Sequence, residues 1–84
     1  MARPHIAPSA HKRGVTFHDV DAVLRFPEKV MKLSDTHTGQ PERPNVDLYA
    51  GYDTSGEPLV VFVDRFENMA FHSEPGLRRY KWLF

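Results

Sequence analysis

The alternation of apolar and polar positions along the chain predicts one helix, several strands and a docked tail. In "GVTFHDVDAVLRFP", Val20, Val23 and Leu24 recur at helical spacing while Asp19, Asp21 and Arg25 are directed elsewhere. Thr16 is the expected N-cap, Asp19 three positions on supplies an acidic capping box, and Val15 and Val20 stand where a hydrophobic staple would place them. The helix should end near Arg25, because Pro27 disfavours helical geometry at Phe26 and has no N–H to donate. "EKVMKLS" (28–34) alternates imperfectly and predicts an edge strand whose two lysines blunt edge pairing. "VDLYAGY" alternates cleanly, with Val46, Leu48, Ala50 and Tyr52 on one face. After the turn "DTSGE" comes "PLVVFVDR", whose run from Leu59 to Val63 is apolar on both faces and belongs at the centre of a sheet. "FEN" makes a tight connection to "MAFH", where Met69 and Phe71 are expected to face one way and Ala70 and His72 the other.

This order predicts an α+β fold: a small antiparallel sheet of about four strands with an N-terminal helix packed on one face. Both ends add to it. "ARPHIAPSAHKRG" contains two prolines and admits at most a short helix from Ser9 to Arg13, with Gly14 as its stop. The closing "FHSEPGLRRYKWLF" predicts a short C-terminal helix capped by Ser73, with Glu74 and Pro75 in its first turn. Leu77, Tyr80 and Phe84 form the stripe expected to dock on the sheet, leaving Arg78, Arg79 and Trp82 lateral. The polar stretch "DTHTGQPERPN" (35–45) is a long loop.

Composition narrows the setting. A chain of 84 residues is expected to form a single domain over residues 1–84, with a core small enough to be marginal, so a partner protein or a homo-oligomer is expected to support it. It has no cysteine, which removes disulfides and thiolate metal sites and fits a reducing, cytoplasmic compartment. No apolar run is long enough for a signal h-region or a membrane span, so a soluble protein without membrane contact is expected.

Net charge is zero, from 11 basic and 11 acidic side chains, but the signs are segregated. Residues 16 to 64 carry nine acids and four bases, whereas the two ends together carry seven bases and two acids. If the fold joins the ends, one basic surface results, the electrostatic footprint of a nucleic-acid or acidic-protein partner.

The segment "KRGVTFHDVDAVL" resembles the "K-H-G-V-S-F" and following amphipathic helix near the start of BrnT-type toxins, small proteins of bacterial toxin–antitoxin pairs with a RelE-like ribonuclease fold. Further on, Arg43 precedes the strand "VDLYAG", and a turn leads to the apolar "LVVFV", so the order of elements is similar over roughly residues 10 to 72. The chain departs from the family in three places. It lacks the aromatic-acidic opening resembling "W-D" ahead of the family's first helix, has Arg13 where the family has histidine before Gly14, and has "MAFHSEPG" where the family has a strand carrying an arginine and a lysine. The resemblance implies a toxin that meets a cognate antitoxin and cleaves RNA without a metal or other cofactor. The other reading is a catalytically silent module of the same fold that binds protein or, weakly, RNA.

Metal-independent RNA cleavage needs a base for the 2′-hydroxyl proton, cations for the phosphorane-like transition state and an acid for the leaving oxygen. His72 is the base candidate, placed at a strand end just before the predicted tail helix. Arg65 and Arg79 are candidate cations and Tyr80 a candidate acid. Arg65 could instead pair with Asp64 or Glu67, and Tyr80 could pack in the core. Lys12, Arg13, Arg78 and Lys81 are candidate phosphate contacts, and Trp82 a stacking face for a base. The five histidines show no closely spaced ligand pair, so no metal site is expected.

Overall fold

Helix α1 (Phe17–Arg25) begins where the capping pattern places it. In the computed structural model, which describes residues 3–33 and 45–84, Thr16 Oγ1 accepts the Asp19 N–H at 3.1 Å and Asp19 Oδ2 accepts the Thr16 N–H at 3.0 Å. Asp19 Oδ1 then reaches across the fold and accepts both the N–H and the hydroxyl of Thr54, at 3.1 and 2.6 Å. These bonds hold the Asp19 carboxyl down at about 2, the Thr54 hydroxyl contributing most, against the opposing effect of burial. One carboxylate thus caps α1 and fastens it to a turn of the sheet. The helix stops on schedule, its last bond running from the Phe26 N–H to the Ala22 carbonyl.

Among the described residues the sheet has five strands: β1 (His5–Ile6), β2 (Lys29–Lys32), β3 (Val46–Tyr52), β4 (Pro58–Asp64) and β5 (Met69–Pro75). Their order is β1-β5-β4-β3-β2, with β1 parallel to β5 and the other pairs antiparallel. The fold is therefore α+β as expected, but its sheet is mixed and has one strand more than the four anticipated. The extra strand, β1, is two residues between Pro4 and Pro8, too short for any alternation to show. β4 lies at the centre, with Leu59, Val61 and Val63 buried under α1 and Val60 and Phe62 buried on the opposite face. β2 is an edge strand with both lysines exposed. α1 packs on β3 at Gly51, where Val23 and the Phe26 carbonyl lie nearest, at ordinary van der Waals distance from the position a Cβ would take.

Two expectations for the C-terminal third are corrected. The strand does not stop at His72: pairing with β4 continues to Leu59 opposite Pro75, so Ser73 and Glu74 are strand residues and Ser73 caps no helix. Ladder pairing with a long central strand outcompetes a local capping signal. A β-bulge between Phe62 and Val63 also shifts the register, placing Ala70 opposite Val63 and His72 opposite Phe62. Phe71 is the extra residue, so Ala70 packs under α1 while His72 stands on the other face, its ring edge-on to Phe62 at 4.9 Å.

The tail folds back over the face opposite α1, but as one helical turn, α2 (Gly76–Arg79), followed by a 3₁₀ turn from Lys81 to Leu83. The change of period moves the docking stripe. Tyr80, 1% exposed, and Leu83 enter the core with Leu48, Val60 and Phe62, whereas Leu77 remains 55% exposed. At the other end, the expected helix from Ser9 to Arg13 is a 3₁₀ turn over Pro8–Ala10. The loop 35–44, with Arg43 and His37, lies outside the described residues.

Candidate anion-binding cleft

β1 pairs with only Met69 and Ala70 of β5. Beyond them the N-terminal segment stays beside β5 through two hydroxyl bonds in place of a ladder. Ser9 Oγ donates to the Phe71 carbonyl at 2.5 Å, and Ser73 Oγ donates to the Ala10 carbonyl at 2.6 Å. The chain then reverses in a tight turn in which the Val15 N–H meets the Lys12 carbonyl at 3.1 Å. Both central residues are left-handed, Arg13 with φ 57° and Gly14 with φ 88°. Glycine adopts that conformation freely, whereas for arginine it costs on the order of 1 kcal/mol.

Lys12 and Arg13 of this turn line a cleft of about 630 Å³ together with Phe71 and His72 of β5 and Arg78 and Arg79 of α2. Basic side chains from opposite ends of the chain therefore meet around an exposed histidine. Glu74 is the acid among the lining residues, and its buried carboxylate forms a fork with Arg79, Nη2 to Oε1 at 2.6 Å and Nε to Oε2 at 3.2 Å. The bonds from Glu74 push the Arg79 pKa up, against a smaller effect of burial. Arg79 also lies 5.6 Å from the centre of the Tyr80 ring. Its charge is largely matched by Glu74, so Lys12, Arg13 and Arg78 are the cations best placed for a ligand.

Several expected site residues lie elsewhere. Tyr80 is sealed in the core against Phe62, with ring centres 5.9 Å apart, so burial removes it as an acid for a bound ligand. Arg65 follows the far end of β4 and forks onto Asp47 of β3, Nη2 to Oδ1 at 2.5 Å and Nε to Oδ2 at 3.1 Å, which raises its pKa. Asp64 accepts the Phe66 and Glu67 N–H groups. Lys81 and Trp82 sit on the 3₁₀ turn after α2 and are not among the lining residues of the cleft. The support expected for His72 from a following helix N-terminus also falls, because α2 starts four residues on and lasts a single turn. Ser9, Ser73 and Glu74 were missed as cleft residues. The serines announce themselves only through backbone partners more than sixty positions away, and Glu74 read as a helix-terminal acid.

Among the described residues no group of three or more histidine, aspartate or glutamate side chains could hold a metal ion, and no helix is long and apolar enough to cross a membrane. No family model, curated protein or solved structure matches the chain. Chemically, the cleft offers an anion several cationic donors and the ring of one exposed imidazole, that of His72.

Proposed function

We propose that the cleft binds the phosphodiester backbone of RNA, and that the protein is a BrnT- or RelE-like member of a toxin–antitoxin pair. The observation that carries the RNA reading is the convergence of Lys12, Arg13 and Arg78 around exposed His72. Neutral net charge does not oppose it, because binding responds to the local field and the bases are concentrated at the two ends. Binding of a fluorescent unstructured RNA, followed by anisotropy at several salt concentrations, is the test. Removing one phosphate-binding cation should reduce the magnitude of the slope of log K against log salt by about 0.7. Lys12→Ala and Arg78→Ala should each do so, and unchanged affinity and slope in both variants would reject the reading.

Cleavage is the second reading, and the solvent access of His72 favours it. Neutral His72 would take the proton of a 2′-hydroxyl, the 2′-oxygen would attack phosphorus, and the bond to the 5′-oxygen would break, leaving a cyclic phosphate and a 5′-hydroxyl. Arg13 and Arg78 would stabilise the charge on the pentacoordinate phosphorus. With Tyr80 buried, the leaving oxygen would be protonated by Lys12 or by water. RNA incubated with the protein in excess EDTA should be cut, and His72→Ala should abolish cutting while retaining binding. Intact RNA throughout leaves the silent RNA- or protein-binding module. The toxin role predicts growth arrest on expression, relieved by co-expression of a cognate antitoxin.

A further inference from the structure

A second concavity, about 270 Å³, adjoins the cleft across a ridge made by Val15 and Pro75, which line both. Its walls are Val15, Pro58, Leu59, Pro75 and Leu77, and its polar edge is Asp53 and Glu57 of the β3–β4 turn. The apolar surface continues past the groove. Pro58 stands opposite Tyr52 in the sheet, a Cβ on Gly76 would lie 3.1 Å from Pro58 Cβ, and Phe84 packs over Gly76 and against Tyr52, ring centres 5.7 Å apart. Leu77, Tyr52 and Phe84 are 55, 42 and 36% exposed. Large side chains left in water around a groove, rimmed by polar groups, are the usual mark of a protein-docking surface.

The rim decides what fits. Among the described residues, no lysine or arginine lines this groove, and both of its charged groups are acidic. Asp53 Oδ1 accepts the Ser55 and Glu57 N–H groups at 2.8 and 2.9 Å, which fixes the turn and leaves the negative charge at the edge. Glu57 is exposed. An anionic polymer is repelled here, while a protein segment with a leucine-sized anchor flanked by lysine or arginine satisfies both the apolar walls and the acidic rim.

We infer that this groove is the docking site for a partner protein, entered by a basic segment with an apolar anchor that seats on Leu77 and pairs with Glu57. The inference stands apart from the RNA reading and uses none of the cleft's cations. Its test uses a short fluorescein-labelled peptide of alternating leucine and lysine, with the leucine–glutamate peptide as control, followed by anisotropy and by amide shifts in the full chain. The lysine peptide should bind saturably and shift Val15, Glu57 and Leu77. Leu77→Lys and Glu57→Lys, both at exposed positions, should each weaken it at least about fivefold without weakening RNA binding, which the added positive charge can only favour. Equal binding of both peptides, no binding, or shifts centred on His72 and Arg78 would overturn the inference. So would a dimer of the protein alone that Leu77→Lys dissociates, since a second copy would then be the occupant.

Discussion

The two concavities that share the Val15–Pro75 ridge are built in different ways. The groove belongs largely to the middle of the chain, and its turn is fastened by Asp19, which satisfies two donors of Thr54 while capping α1. The cleft belongs to the two ends, and its basic wall hangs on two serine hydroxyls and a left-handed arginine. One side is locked by a buried, multiply bonded carboxylate. The other is held by a few bonds at a sheet edge and carries backbone strain at Arg13, the arrangement expected where stability is traded for ligand contact.

The largest effect that should separate the two comes from Asp19. Asp19→Ala removes the cap and leaves Thr54 without its acceptor, and should cost about 2–3 kcal/mol in urea unfolding. The same bonds set the acid response. Because the folded carboxyl is held at about 2 against an ordinary 3.8, its contribution of roughly 2 kcal/mol is present above pH 4 and lost as pH falls from about 4 to 2. Unfolding free energies over that range should show the loss in the wild type and not in Asp19→Ala.

Ser73→Ala comes next. It removes the donor to the Ala10 carbonyl and should cost about 1 kcal/mol, with RNA affinity falling a few-fold because Lys12 and Arg13 lose their anchorage. A drop in stability with unchanged affinity would show that the hydroxyl does not position the basic wall.

Arg13→Gly should move stability and binding in opposite directions. Releasing the left-handed strain raises stability by up to about 1 kcal/mol, while loss of one cation weakens RNA binding about fivefold. Arg13→Asn keeps tolerance for the conformation and should show the same loss of affinity without a large change in stability. If both variants bind as the wild type does, the strain at Arg13 has no functional return. The smallest effect belongs to Arg65→Ala, which removes a fork to Asp47 away from the cleft and should change RNA affinity less than about twofold.

The parts of this fold that were legible in the sequence are those decided locally. Thr16 and Asp19 announce α1 because a capping box needs only four consecutive residues. Val46 to Tyr52 and Leu59 to Val63 announce their strands through alternation and a continuous apolar run. The misread parts are those in which a distant partner outvotes the local signal. Ser73 looks like a helix cap until β4 supplies a ladder for it, β1 exists only because β5 has a free edge, and the bulge at Phe71 reverses where His72 points. Charge segregation pointed to the chain ends, and of the seven bases there Lys12, Arg13, Arg78 and Arg79 line one cleft with His72, whereas Arg3, Arg65 and Lys81 do not line it. Identifying Tyr80 and Arg65 as outsiders required knowing that a single turn of α2 drives one ring into the core and that Asp47 lies across the sheet from the other.

The most direct measurement is an NMR titration of the full chain with a short unstructured RNA, following the arginine and lysine side-chain signals and the His72 ring. The account predicts that Lys12, Arg13, His72 and Arg78 shift together along one binding curve while Arg65 and Lys81 stay silent. Shifts centred on Arg65 and Lys81, or scattered over the surface with His72 unmoved, would contradict it.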